Sequence, residues 1–360
     1  MTIAGPGSGK TRVVVARAWH LVRELGVDPA RIIIIAFTNK AANEVKERLA
    51  AVGVGGGDTG AGHGGCEVLV KTFHALGAYF LRKAAATTPG LGLGSRFKVL
   101  NAEESECLMQ RAVEEVERDF EGDQTPTGQR GDAERKDEPS TAGGDDPATR
   151  GAAAPLTASD VKDLVELLAY LFPRVKSRLA DISFYDEDRA IEQAVQAGVA
   201  TGKRLEAKPR PPARTRRESP AVAARWYLGR VQEYFSMYQR LLYDNNAVDF
   251  SDLICLPVRA LDTCPELAEA WRARFDHILV DEFQDTDPAQ YRFVRQLKGP
   301  GTALFVVGDP DQAIYSWRGA EVNNMSLYLP RDFPDTETKT LSINYSGHRT
   351  RTHNWRTATM

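Results

Sequence analysis

The stretch that most constrains this chain is "AGPGSGKT", Ala4 to Thr11, which runs directly into "RVVVARAWHLVREL". It joins a small residue, a glycine-rich turn (Gly5, Pro6, Gly7, Ser8, Gly9), a lysine and a threonine to an amphipathic helix. Successive backbone N–H groups in such a turn point inward and cradle phosphate oxygens, and the helix adds the positive end of its dipole. Lys10 is placed to reach β- and γ-phosphates, and the Thr11 hydroxyl to ligate Mg²⁺. A plain glycine-rich turn would not need the lysine and threonine at this spacing. The loop therefore predicts a nucleotide triphosphate site, without saying what the nucleotide drives.

A loop of this kind needs a parallel sheet behind it, and the sequence supplies the strands. "RIIIIAFT", "HILVDEF" and "TALFVVGD" are short, continuous apolar runs rich in β-branched residues, as expected of strands buried on both faces with helices between them. A mostly helical region, 101–246, separates the first strand from the other two. Its stretches "AEESECLMQRAVEEVERDF", "SDVKDLVELLAYLFPRVKSRL" and "AARWYLGRVQEYFSMYQRLLYDN" repeat apolar residues at helical spacing. The expected order is an α/β motor part over 1–100, a helical subdomain over 101–246, the second α/β part over 247–345 and a divergent tail over 346–360.

Two segments of the helical region lack apolar periodicity. Residues 121–155 are rich in Gly, Pro and acidic groups and cannot bury enough surface to offset their ordering entropy, so disorder is expected there. Residues 202–220, "GKRLEAKPRPPARTRRESP", are basic and proline-rich. They read as a solvated linker or, with equal weight, as a functional segment, either a DNA-backbone contact or a nuclear import signal.

Composition excludes several classes. At 42% hydrophobic and 26% charged residues the chain is an ordinary core-forming protein, and a net charge of −3 points to no acidic partner. Cys66, Cys107, Cys255 and Cys264 form no C-x-x-C pair, which argues against a structural zinc site or disulfide scaffold and fits a reducing compartment. No apolar run is long enough to span a membrane, and no signal peptide opens the chain. A soluble intracellular protein is expected, nuclear or organellar in a eukaryote, cytoplasmic or nucleoid-associated in a bacterium.

Further along, "DEFQDT" follows the apolar run "HILV". A carboxylate at the carboxyl end of a parallel strand can hold Mg²⁺, and a second one beside it can deprotonate water. Asp281 is assigned to the metal and Glu282 to the base. In "VVGDPDQAIYSWRGA", Gln312 can bond a γ-phosphate or the attacking water. Tyr315, Trp317 and Arg318 place two aromatics and a cation together, a platform on which bases of a single strand can stack. Core packing is the competing reading of those rings.

Taken in order, these segments resemble a UvrD/Rep/PcrA-like superfamily 1 DNA helicase. "AGPGSGKT" is similar to that family's motif I, "AFTNKAANEVKERL" to motif Ia and "TFHALG" to motif Ib. "VDFSDLI" resembles the segment before motif II, "DEFQDT" motif II, and "VVGDPDQAIYSWRGA" motif III. The resemblance implies a RecA-like P-loop NTPase sheet with helices on both faces, interrupted by a helical subdomain. It also implies ATP hydrolysis with Mg²⁺, used to move 3′→5′ on single-stranded DNA or on DNA with a 3′ tail, in repair or recombination. Lys10, Thr11, Asp281, Glu282 and Gln312 would serve ATP, with Arg12 flanking the adenine. Phe37, Asn39, Thr72, His74, Tyr315, Trp317 and Arg318 would contact DNA. Phe37 also reads as core, and His74 equally as a structural histidine.

Both ends depart from the family pattern. Only Met1 to Ile3 precede motif I, and a parallel strand of that length is expected to pair poorly. "LSINYSGHRT" begins like motif IV: Tyr345 matches the adenine-stacking aromatic, but Ser346 stands where the family has arginine and Arg349 is out of register. No second motor domain with its arginine finger follows, a group worth roughly 10³–10⁵ in rate in related NTPases. The expectation is an incomplete helicase chain. The alternatives are an isolated module binding ATP and single-stranded DNA, or a nonfunctional gene-model fragment.

Overall fold

The computed structural model describes residues 1–54, 67–88, 92–123, 158–177, 230–313, 320–321 and 323–343. The two segments expected to be disordered lie outside these residues, apart from the first three positions of 121–155, which continue a helix. The chain forms two compact units. The first comprises 1–97, 176–179 and 250–360, and the second 98–175 and 180–249.

The first unit is built on a parallel sheet of six strands. In chain order these are β1 (Thr2–Ala4), β2 (Ile32–Ala36), β3 (Leu69–Thr72), β6 (His277–Val280), β7 (Ala303–Gly308) and β8 (Lys339–Leu341). They lie side by side as β3-β2-β6-β7-β1-β8, and every pairing is parallel. All carboxyl ends therefore point to one edge. Read along that edge, the loops after β3 and β2 come first, then those after β6, β7 and β1.

Alternation along the strands explains the layers. Ile32, Ile34, Ala36 and Leu279 share a core with Val14, Ala18 and Leu21 of α1 (Lys10–Arg23) and with Val45 and Leu49 of α2 (Asn39–Ala51). Ile33, Ile35, Ile278 and Val280, one residue out of phase, are equally buried. On the other side α3 (Phe73–Thr87) brings Phe80 to 4.5 Å from the Trp271 ring and 6.0 Å from the Phe293 ring, measured between centroids. Gly77 of α3 is required by close approach: a Cβ there would lie 1.6 Å from the Leu253 carbonyl oxygen.

β1 corrects one expectation. It has only three residues, yet it pairs on both sides, Thr2 with Val307 and Lys339, Ile3 with Gly308 and Thr340. The neighbours supply what its length does not: the Lys339 N–H donates to the Met1 carbonyl, and the Met1 ammonium to the Glu337 carbonyl at 2.7 Å.

The second unit packs α4 (Ala102–Asp123), α5 (Ala158–Ser177) and α6 (Val231–Asp244) around Val113, Leu168, Phe172, Tyr234 and Tyr238. Helical spacing of apolar residues foretells these helices. It does not foretell the small parallel ladder of β4 (Lys98–Val99) and β5 (Ala247–Val248) in the same unit.

Candidate functional site

The first loop turns on two glycines. Gly7 has φ 68° and Gly9 φ 87°, both left-handed, and Ser8 closes the turn on the Gly5 carbonyl with its N–H at 3.2 Å and its hydroxyl at 2.6 Å. α1 begins at Lys10 with no side-chain cap, whereas α2 and α3 begin under the hydroxyls of Thr38 and Thr72. The first-turn N–H groups of α1 are thus left for an anion. Ala4 is buried at the end of β1, Pro6 is exposed at the loop tip, and Arg12 is exposed on the first turn of α1.

The loops after β6 and β7 meet this one. The Thr11 hydroxyl donates to Asp281 Oδ2 at 3.0 Å. Lys10 Nζ lies 3.1 Å from Glu282 Oε2 and donates to Gln312 Oε1 at 3.2 Å. Lys10 and Asp281, far apart in sequence, share one site. Glu282 holds a left-handed backbone, φ 51°, as only Asn246 also does among the described non-glycine residues. That conformation is costly for a β-carbon-bearing residue and turns the chain sharply at the strand's end.

The electrostatics are those of a site short of positive charge. Asp281, 1% exposed, has its pKa pushed up to about 6, first by burial and then by the neighbouring Glu282 charge. Asp285 is raised to about 6 for the same two reasons in the same order. Lys10 is the cation facing this acidic edge. A divalent ion between Thr11 and Asp281 would supply the missing charge. Among the described residues no three His, Cys, Asp or Glu side chains are grouped to hold a metal alone, so phosphate oxygens and water would complete its shell. Glycine cradle, hydroxyl and buried carboxylate together fit a magnesium–nucleotide.

The other predicted residues occupy the loops after β2 and β3. Phe37, half-buried, and Asn39, exposed, follow β2 directly. The Thr72 hydroxyl is taken up by capping α3, accepting from the Ala75 N–H at 3.3 Å. The His74 ring stacks on Phe250, centroids 3.8 Å apart and planes 18° apart, and burial lowers its pKa to about 4, so the imidazole is neutral at pH 7. Phe250 is 60% exposed. Sequence reasoning passed over this ring although it sits inside "VDFSDLI", because only its exposure sets it apart. Tyr315, Trp317, Arg318 and Tyr345 lie outside the described residues.

Among the described residues no helix is long and apolar enough to cross a membrane. The sequence profile of the UvrD/REP helicase N-terminal domain matches residues 1–334. The chain is 30% identical over 345 residues to the ATP-dependent DNA helicase PcrA of Leuconostoc citreum, covering 96% of this chain and 35% of that protein. It is 31% identical over 355 residues to the ATP-dependent DNA helicase UvrD1 of Mycobacterium leprae, with coverages of 96% and 35%. Against the ATP-dependent DNA helicase Rep of Salmonella typhimurium the identity is 29% over 345 residues, with coverages of 96% and 38%. The chain thus spans little more than a third of the length of these relatives. With the profile running almost the whole length of a sheet whose loops converge in this way, the chain belongs to the UvrD/REP helicase N-terminal domain family.

Proposed function

We propose that this chain is the ATP-binding half of a motor that hydrolyses ATP with Mg²⁺ and moves 3′→5′ along single-stranded DNA. The observation that carries the reading is the convergence of Lys10, Thr11, Asp281, Glu282 and Gln312 from three separate loops onto one point. Relatives named ATP-dependent DNA helicases support the same direction.

The residues divide the work. Backbone N–H groups from Gly5 to Thr11 would hold the α- and β-phosphates. Thr11 and Asp281 would hold Mg²⁺, which when bound draws charge off the β- and γ-phosphate oxygens. Lys10 would turn from Glu282 to the γ-phosphate, freeing that carboxylate to accept a proton from the attacking water. Gln312 would leave Lys10 and bond the γ-phosphate or that water. Arg12 and Tyr345 would flank the adenine. Phe37, Asn39, the His74–Phe250 stack and Tyr315, Trp317 and Arg318 would hold the strand, rings on bases and polar groups on phosphates. Thr72 would act by fixing the start of α3 beneath His74.

ATP turnover with and without single-stranded DNA, in wild type and Lys10→Ala, tests the assignment. In a protein extended to the length of the relatives, displacement of a strand from duplexes carrying either a 3′ or a 5′ tail tests the polarity. DNA-stimulated turnover and a 3′-tail requirement support the motor. Binding of both ligands without turnover favours a binding module. Undiminished turnover in Lys10→Ala contradicts the site.

A further inference from the structure

The contacts at the sheet edge close into a ring. Lys10 Nζ meets Glu282 Oε2 at 3.1 Å, and Gln284 Nε2 donates to the same oxygen at 2.8 Å. Gln284 Oε1 accepts from the Asp309 N–H at 3.0 Å, and Asp309 Oδ2 accepts from Gln312 Nε2. Gln312 Oε1 accepts from Lys10 at 3.2 Å, which returns to the start. Three chain segments contribute: the loop after β1, the turn after β6 and the turn after β7.

Gln284 differs from its neighbours in this ring. Lys10, Glu282 and Gln312 are half-buried and open to a ligand, whereas Gln284 is 2% exposed. Its amide serves both halves at once, Nε2 on the Glu282 carboxylate and, at 3.3 Å, on Asp285 Oδ2, and Oε1 on the backbone that leads to Gln312. Gly308 keeps room for it: a Cβ there would stand 2.6 Å from Gln284 Oε1 and 2.9 Å from Met325 Sδ. A γ-phosphate competes with Glu282 and Gln312 for Lys10. Once Lys10 leaves, Gln284 and Asp309 are the remaining ring members that tie Glu282 to Gln312.

We propose that Gln284 is a positioning residue for the γ-phosphate end of the nucleotide site, holding Glu282 and the Asp309–Gln312 turn in fixed register when Lys10 turns to phosphate. The inference rests on the nucleotide reading above and adds a residue to it. The α- and β-phosphates belong to the glycine cradle, which Gln284 does not touch. The proposal therefore separates two ligands that differ only at the γ-position. A role in general support of the fold would weaken both alike.

The test is calorimetric titration of the whole chain with Mg²⁺–ADP and with the non-hydrolysable Mg²⁺–β,γ-imido-ATP. In Gln284→Met, which keeps the side-chain length and removes the three side-chain hydrogen bonds to Glu282, Asp285 and Asp309, the analogue is expected to weaken about tenfold while ADP stays within about twofold, as for loss of hydrogen bonds to a charged group. Gly308→Ala, whose added methyl crowds Gln284 Oε1, is expected to shift the same ratio in the same direction, and it keeps the test alive if Gln284→Met fails to fold. Parallel weakening of both ligands, or an unchanged ratio in the folded variants, overturns the proposal. Lys10→Ala is the control on the underlying reading: wild-type affinity for both nucleotides there would remove the nucleotide site itself, and Gln284's role with it.

Discussion

The two units solve opposite problems with the same kinds of residue. In the helical unit, the charged groups that enter the core are paired: Tyr238 donates to Asp249 at 3.1 Å, and Arg230 meets Glu117 at 2.7 Å, although the Gln239 amide nitrogen is buried without a partner. At the sheet edge of the α/β unit, Asp281 and Asp285 are pushed towards protonation by burial and by Glu282, with Lys10 facing them. The first arrangement is settled without a ligand. The second carries buried negative charge and strained backbone that a cation and a polyphosphate would relieve. Unmatched burial, rather than burial as such, marks the place where chemistry is prepared.

Phe172→Ala gives the largest expected change. Phe172 is fully buried against Phe235 and Tyr238, at 5.0 and 5.5 Å between ring centroids, and its loss should cost the helical unit about 3–5 kcal/mol. Denaturant unfolding checks this, and nucleotide affinity should not move.

Asp281→Asn sharpens the contrast in the other direction. The folded pKa of about 6 stands above the usual 3.8, so the folded state binds the proton more readily than the unfolded chain. Stability contributed by this group therefore rises as pH falls from 7 through 6 towards 4, and at pH 7 the ionised carboxylate destabilises. The amide should raise ligand-free stability at pH 7 by on the order of 1–3 kcal/mol while weakening magnesium–nucleotide binding. Lower stability in Asp281→Asn would show the charge to be already compensated.

Phe250→Ala probes the loops beyond the nucleotide site. Removing an exposed ring on which a base can stack should weaken single-stranded DNA binding by about 1 kcal/mol and leave nucleotide affinity alone. Fluorescence anisotropy with a labelled oligothymidylate reads the difference, and unchanged affinity removes Phe250 from the strand's path.

The effect smallest at pH 7, growing only in acid, concerns His74. Its folded pKa, about 4, lies below 6.5 because burial disfavours the imidazolium. The unfolded chain takes up the proton first, so this group costs stability as pH falls from 6.5 to 4, opposite in sign to Asp281. His74→Gln should flatten that part of the unfolding curve, and an unaltered pH slope would contradict the burial.

Much of this was legible in the sequence because it is local. Gly7 and Gly9 are demanded by a turn within one loop, and Asp281 and Gln312 each follow an apolar strand within a few residues. Gln284 carries no such signal: a glutamine in "DEFQDT" acquires its role only because β6 lies beside β7. Phe250 is hidden for a similar reason, since exposure belongs to the tertiary structure. The strands β3 and β8 were also missed, having four and three residues and mixed polarity. β1 could be read as a strand too short to pair because pairing on both sides cannot be seen in Met1 to Ala4.

The central claim is that the loops after β1, β6 and β7 make one pocket for a magnesium-bound triphosphate. Calorimetric titration of Mg²⁺–ATP into the wild-type chain and into Lys10→Ala tests it most directly. Saturable binding in the wild type, weakened about a hundredfold or more by the substitution, is the predicted result. Equal affinity in the two proteins would contradict it.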